Sequence, residues 1–272
     1  MRIKHVITTI VLALFCSQPV FAQTNFNSNH FHFFYGSPIP EKTGWEKFWE
    51  RFYIGVLYPF ASISVKEHFT EYTGNIYDTT ITRTVKNAPS FGAYIGNFYP
   101  LAYVGENSGC LVLSTEIMGS YTSWNVKAVN FTNGSVGGHD NSYTTSIAAS
   151  LPIALEYKYG ADGILDKYKR FMFSLGVGGA PTAYSNTYVK SSTSFQFTPF
   201  IKAEIGFFAG IGMKLRGTFQ FGQLTYASWA AANRFVPAWQ GGDNTTTTVT
   251  GKPAYTVSFI VYPFSGRWRN ED

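Results

Sequence analysis

The chain has 272 residues, of which 18% are aromatic and only 14% charged, whereas a typical soluble domain carries about 25% charged residues. Its formal net charge of +5 comes from 21 Lys+Arg against 16 Asp+Glu. These basic residues are scattered rather than clustered, which makes no case for nucleic-acid binding. Beyond the first residues no apolar run approaches the ~20 residues of a spanning helix, so helical membrane spans are excluded.

Residues 1–22 read as a secretory signal peptide, with Arg2, Lys4 and His5 as a basic start, Val6 to Phe15 as an apolar core and Val20-Phe21-Ala22 as the exit before Gln23. Cys16 follows the bulky Phe15, which does not suit lipoprotein processing. Cleavage removes Arg2 and Lys4, leaving 19 basic against 16 acidic residues, about +3. Cys110 then stands alone. An exported chain without a disulfide framework must be held by burial or by a closed hydrogen-bonded sheet.

Residues 23–52 form an N-terminal periplasmic segment. His30 and His32 lie two apart, but no third ligand stands at a readable spacing, so no metal and no other cofactor is expected. Thr43-Gly44-Trp45-Glu46 is a capping-box pattern opening a helix over 44–52. Trp45, Phe48, Trp49 and Phe52 follow at i, i+3, i+4 and i+7 and make one aromatic face, with Lys47, Glu50 and Arg51 on the other side. Such a short amphipathic helix suits two placements: in the membrane interface with its tryptophans among the headgroups, or as a plug over the mouth of a barrel.

Eight strands are expected between residues 53 and 264. The first runs from about Tyr53 to Val65, with Ile54, Val56, Tyr58 and Phe60 on one face. The second, near Phe91 to Val104, has an ambiguous phase. In the third, Leu111, Leu113, Thr115 and Ile117 oppose Ser114 and Glu116; in the fourth, Ile147 to Tyr157 alternate with Ala148 to Lys158. Phe171, Phe173, Leu175 and Val177 mark the fifth, and Phe195, Phe197, Ile201, Ile205 and Phe207 the sixth, opposite Gln196, Thr198, Lys202 and Glu204. The seventh is the most regular, with Met213, Leu215, Phe219 and Phe221 against Lys214, Arg216, Thr218 and Gln220. Tyr255, Val257, Phe259 and Val261 mark the eighth. Alternation of this kind, in an exported aromatic-rich chain without helical spans, points to an eight-stranded antiparallel transmembrane β-barrel with an aromatic girdle, preceded by the short helix and followed by a tail over 265–272.

The connections support this. Short ones are expected at Gly105–Gly109, Ala161–Lys169 and Phe208–Gly210, and long loops over 66–89, 122–143 and 226–253, the asymmetry of bacterial barrels. Pro152 and Pro199 fall inside strands and call for a bulge at each. If the last short turn is Phe208-Ala209-Gly210, Phe207 pairs with Ile211, and Glu204 then faces Lys214 while Lys202 faces Arg216.

Over residues 51–264 this pattern resembles the small outer-membrane β-barrel proteins of Gram-negative bacteria, the opacity-protein and OmpA-type transmembrane-domain group. The helix-then-barrel order is also similar to the lipid A palmitoyltransferases, a resemblance that implies acyl transfer by His, Asp and Ser side chains. His68, His139, Asp140 and Ser142 are of the right types, but no motif of that family matches them, so no catalytic residue is assigned. Gly176-Val177-Gly178-Gly179 lacks the Lys-Ser of a phosphate loop and reads as close-packed strand.

Glu116, Glu156, Lys158, Lys202, Glu204, Lys214 and Arg216 all fall opposite the apolar faces, so in a barrel they form an inward charge network. Its three negative and four positive members nearly cancel, which suits a packed interior better than a conducting pore. The chain is therefore expected to be a monomeric, non-enzymatic barrel of the cell outer membrane. Its expected partners are outer-membrane lipids including lipopolysaccharide, with surface loops for an extracellular ligand or a structural role. The alternatives are a membrane-embedded lipid-modifying enzyme and a narrow solute pore.

Overall fold

The structure is a computed structural model and describes residues 31–32, 43–73, 75–104, 109–132, 135–186, 192–221, 227–232 and 243–268. The expected signal peptide at 1–22 and His30 lie outside the described residues. In chain order the elements are β1 (Phe31–His32), α1 (Gly44–Arg51), β2 (Tyr53–Phe60), β3 (Ser62–Thr73), β4 (Asn75–Lys86), β5 (Phe91–Val104), β6 (Gly109–Thr132), β7 (Ser135–Ser150) and β8 (Ile153–Gly160). There follow α2 (Ala161–Ile164), β9 (Phe171–Asn186), β10 (Ser192–Phe208), β11 (Gly212–Gln220), β12 (Ala227–Ala232), β13 (Asp243–Gly251), β14 (Ala254–Tyr262) and a 3-10 turn over Ser265–Arg267. No helix among them is long and apolar enough to cross a membrane.

Antiparallel pairing runs in a closed ring: β2 to β5, β5 to β6, β6 to β8, β8 to β9, β9 to β10, β10 to β11, β11 to β14, and β14 back to β2. Eight strands close the wall, and a closed wall leaves no edge whose N–H and C=O groups lack partners. Along β2 and β8 buried and exposed residues alternate without a break. The ambiguous second strand has a physical cause: a register shift between Pro100 and Ala102, with three consecutive buried residues from Gly96 to Phe98 just before it.

The three expected long loops are largely strand. Residues 62–86 form the β3–β4 hairpin, 122–143 belong to β6 and β7, and β12 and β13 cover much of 226–253. The wall thus continues past the ring as two sheets: β12, β13, β3 and β4 make one, and β6, β7, β9 and β10 continue as the other. Their polar Thr, Asn and Ser content had suggested loops, but a strand that faces water on one side needs only its inner face apolar. Ile63, Val65, Trp124, Tyr184 and Val249 supply that face as one buried cluster.

Prolines mark the passage from ring to extension. Between β7 and β8 the ladder is interrupted at Leu151-Pro152, where Leu151 N–H donates to Pro181 O (3.0 Å) and Glu116 N–H to Pro152 O (2.9 Å). Pro199 makes no bulge: it keeps register with Gly179. Its carbonyl accepts from Phe221 N–H (2.9 Å), one residue past the end of β11, so the donor it lacks also faces the side where the neighbouring ladder stops. At Pro59 the gap is bridged by a side chain. Asn87 Nδ2 donates to Pro59 O (2.7 Å) and Asn87 Oδ1 accepts from Ala61 N–H (3.1 Å), standing in for a ladder rung between β2 and β5.

Helix α1 carries its capping box: the Glu46 backbone N–H donates to Thr43 Oγ1 (3.4 Å) and the Thr43 N–H to Glu46 Oε2 (2.8 Å). It docks on the short-turn end of the barrel. Asn97 Nδ2 donates to Phe48 O (2.9 Å) and Trp268 Nε1 to Glu50 O (2.9 Å), and Glu50 is the residue buried beneath it.

Asn87→Ala removes both bridging hydrogen bonds at a half-buried site and should lower stability by about 1–3 kcal/mol. Urea unfolding in detergent or lipid measures this, and an unchanged midpoint would show that the amide is dispensable.

Candidate functional site

The feature with chemical potential is the interior of the ring. Inward positions of β6, β8, β10 and β11 place Glu116, Glu156, Lys158, Lys202, Glu204, Lys214 and Arg216 together, none more than 6% exposed. An eighth charge joins them, Asp162, fully buried on α2. Its sequence context gave no sign of this, because an acidic residue in a short connection ordinarily points to water. Two features turn it inward. Gly160 adopts a φ of 90°, and α2 packs so close to β8 that a Cβ on Gly163 would lie 2.8 Å from Lys158 O.

With Asp162 the interior holds four carboxylates and four cations. Glu116 accepts from Tyr53 OH (2.7 Å), Lys202 Nζ (3.1 Å) and Arg216 Nη1 (2.9 Å). Glu204 accepts from Arg216 Nε (2.7 Å), Lys214 Nζ (2.8 Å) and Ser174 Oγ (2.7 Å), with Lys158 at 3.7 Å. Asp162 is paired with Lys214 and, at 3.1 Å, with Lys158. Glu156 lies between Lys202 and Lys158, the latter at 3.4 Å, as ion pairs not aligned for hydrogen bonding. Rings close the remaining faces: Phe98 lies 4.7 Å from Lys158 Nζ, and Tyr94 4.9 Å from the Arg216 guanidinium. Each charge therefore meets an opposite charge, as burial in a low-dielectric interior demands.

Small residues on the neighbouring strands make room for the long side chains. A Cβ on Gly176 would stand 2.6 Å from Glu156 Cγ, and one on Gly206 2.5 Å from Lys214 Cγ. The glycines of the 176–179 run therefore serve packing.

The β10–β11 register differs from the expected one by two residues. Phe208 pairs with Gly212, so the turn is Ala209 to Ile211, with Gly210 at φ 79°. Glu204 consequently faces Arg216, Lys202 faces Thr218, and Lys214 faces Gly206. Lys214 still reaches Glu204 along the diagonal. Both turns have three residues; the observed one lies one residue later in the chain, with Gly210 at its centre in the left-handed conformation, and that displacement alone moves every pair by two.

Above the charges, toward the extension, lies a small recess bordered by Leu57, Tyr94, Met118, Phe200, Lys202 and Arg216 among others. The apolar cluster around Trp124 fills the interior further along, where Trp124 Nε1 donates to Ser146 Oγ (3.1 Å). At the short-turn end Trp268 stacks on Phe208 and meets Tyr262 edge-on. The lumen is thus filled in layers: aromatic, ionic, recessed, then apolar.

The acyltransfer-type residues are not gathered by the fold. His68 lies on β3, its Nδ1 3.1 Å from Thr80 Oγ1, whereas His139, Asp140 and Ser142 lie on β7 in the other sheet. Trp45, Phe48, Trp49 and Phe52 form a continuous aromatic row that ends against Phe264, 4.9 Å from Trp49. Trp45 stands 72% exposed at its tip.

The exterior is the inverse of the interior. Exposed large apolar side chains come from every strand of the ring, among them Val56, Ile95, Ile117, Leu155, Leu175, Ile205, Leu215 and Phe259. A closed eight-stranded wall, oily outside and ionic within, defines a β-barrel of the outer-membrane type.

No family model matches the chain, and no curated protein does. Among solved structures it is similar to the outer membrane protease OmpT from Escherichia coli, at 9% identity over 77% of this chain and 96% of that one, with a TM-score of 0.36. It is also similar to Ail, the attachment invasion locus protein of Yersinia pestis, at 6% identity over 76% and 97% with a TM-score of 0.27. A Pseudomonas aeruginosa FadL homologue shares 7% identity over 77% and 90%, with a TM-score of 0.23.

Glu204 contacts three cations and Lys214 two carboxylates. Moreover, an excess carboxylate can be relieved by taking up a proton, while an arginine cannot shed one. Glu204→Gln should therefore cost about 3 kcal/mol and unfold at lower urea than Lys214→Gln. Equal midpoints or the reverse order would overturn this.

Proposed function

We propose that the chain is a monomeric, non-enzymatic barrel of the outer membrane, exported by its signal peptide, of the small-barrel kind typified by the opacity-protein and OmpA-type group. It holds a strand-built extension at the cell surface for binding or for a structural role. The observation that carries this reading is the exterior belt, to which all eight strands contribute. Each large side chain transferred from water to hydrocarbon stabilises the inserted state by roughly 1.5–3 kcal/mol, so a belt around the whole wall favours lipid on every side. A belt without a polar gap also leaves no sector set aside for a protein neighbour. With the interior filled by a neutral ion-pair layer and a second apolar layer, conduction has no open path and charge has no net sign to select.

Heat-modifiability of the protein in the membrane fraction tests the placement: a folded barrel migrates differently before and after boiling. Planar bilayers containing the purified protein should show no unitary current steps. Regular steps at modest voltage would establish the narrow-pore alternative, and phospholipid turnover in detergent would establish the enzyme.

Within this reading, α1 sits at the periplasmic end with its aromatic row turned to the lipid interface, where tryptophans are favoured. Brominated lipids should quench the fluorescence of Trp45, and Trp45→Ser should reduce the quenchable signal without shifting the urea midpoint. Unquenched fluorescence in the native protein would show that the helix faces protein instead.

A further inference from the structure

On the four-stranded part of the extension, the outward face has an unusual make-up. Ile63, Val65 and Val249 point inward, with Val85 packed against them, so the residues between them face away from the core. Their registers set them in rows across three strands. Lys252 donates its N–H to Ser62 O (2.9 Å), and Ser62 pairs with Lys86. The next row is Thr250, Ser64 and Thr84, and the one beyond it Thr248, Lys66 and Thr82. The rows thus contain lysines and hydroxyl residues and no carboxylate. Lys66 and Lys86 are exposed, and Lys252 is half-buried with its Nζ 2.8 Å from Thr84 Oγ1.

The position of this face matters as much as its composition. The lowest row begins two residues beyond Phe60, which pairs with Tyr255, both exposed aromatics of the apolar belt. At about 3.3 Å per residue the Lys252–Ser62–Lys86 row lies ~7 Å past that aromatic pair, and Lys66 about 13 Å further along the strand. Lys252 and Lys86, separated by one intervening strand, stand ~10 Å apart. This is the height at which the headgroups of a leaflet follow its acyl chains. The lysines are spaced for an anion with more than one charged group.

We propose that this face binds the phosphorylated headgroup of the outer leaflet's glycolipid, lipopolysaccharide, with Lys66, Lys86 and Lys252 contacting its phosphates and the Ser and Thr hydroxyls its sugars. The inference rests on the outer-membrane reading above and names the lipid that one sector of the barrel prefers. Charge complementarity selects a phosphate-bearing ligand, and continuity with the apolar belt selects a lipid over a free anion.

The test uses the full mature protein in phosphatidylcholine nanodiscs, with bis-phosphorylated lipid A as probe and native mass spectrometry as readout. Retention of lipid A should fall about tenfold in the K66Q/K86Q/K252Q triple variant, as expected for the loss of three partly screened charge contacts. Each single variant should show a smaller loss. Dephosphorylated lipid A should bind wild type no better than bis-phosphorylated lipid A binds the triple variant. A control triple at the opposite end, K47Q/K167Q/K169Q, should retain wild-type binding. The proposal is overturned by equal retention in the wild type and the K66Q/K86Q/K252Q variant, or by an equal loss in the control. Displacement by inorganic pyrophosphate at the lipid A concentration would also overturn it, by marking a free-anion site. A normal heat shift with no lipid A preference would sink this proposal alone, whereas failure to enter the nanodisc would sink the barrel reading itself.

Discussion

An ionised side chain packed inside an eight-stranded ring has little room for water beside it, because the interior is just wide enough for side chains to fill. The arrangement of the interior follows from that constraint. Four cations and four carboxylates must meet within one layer, so their strands must hold a fixed register. Glycines must vacate the wall beside the longest side chains, and α2 must turn inward to deliver Asp162. The tyrosines and Phe98 then occupy the faces of the charges that no carboxylate covers. A buried ionic layer is weak evidence for stability by itself, since a hydrophobic core of the same volume often does as well. What it contributes here is selectivity of pairing: sliding β10 against β11 by two residues would take Glu204 from opposite Arg216 and strand charges that cannot be rehydrated.

Most of the wall was legible in the sequence because a strand with an apolar outer face and a packed ionic lumen has two unlike sides, and a period of two is hard to mistake. Ile153, Leu155 and Lys158 announce their sides at once. The parts that were not legible lack that contrast. Between Asn97 and Ala102 the phase slips at a bulge, and β3, β4 and β13 are polar on their outer face, so Thr82, Thr84 and Thr250 looked like loop. Asp162 is a different case. Nothing about its neighbours separates it from a solvated turn residue, and only the placement of Lys158 and Lys214 in space makes it necessary. The register of β10 on β11 differed for a local reason: the three-residue turn begins at Ala209 rather than Phe208, which changes the pairing by two without altering which face any residue occupies.

Proline placement shows how the chain reconciles a ladder with residues that cannot fully join it. Pro152, Pro181 and Pro199 meet their neighbours where a strand is interrupted or ends, so each missing donor falls beside a gap, and Pro59 is spliced by the Asn87 amide. The result is one zone where the wall loosens without opening, between a ring with apolar residues outside and an extension with apolar residues inside. The inversion of the faces happens across this zone, and a strict unbroken strand would have had to carry it without relief.

The contact between Trp268 and the carbonyl of Glu50 joins residues 218 positions apart. It lies outside the β2–β14 seam, at the point where the two ends of the barrel segment come together. In the folded barrel it braces the place where the first and last strands are paired. Closing so long a span costs loop entropy before the contact repays it, which argues for its forming late in folding. Such a contact acts mainly on the way out: an interaction absent from the transition state slows unfolding rather than hastening folding. The helix and the tail together work as a clasp on the seam, and the lifetime of the closed barrel depends on how rarely that clasp lets go.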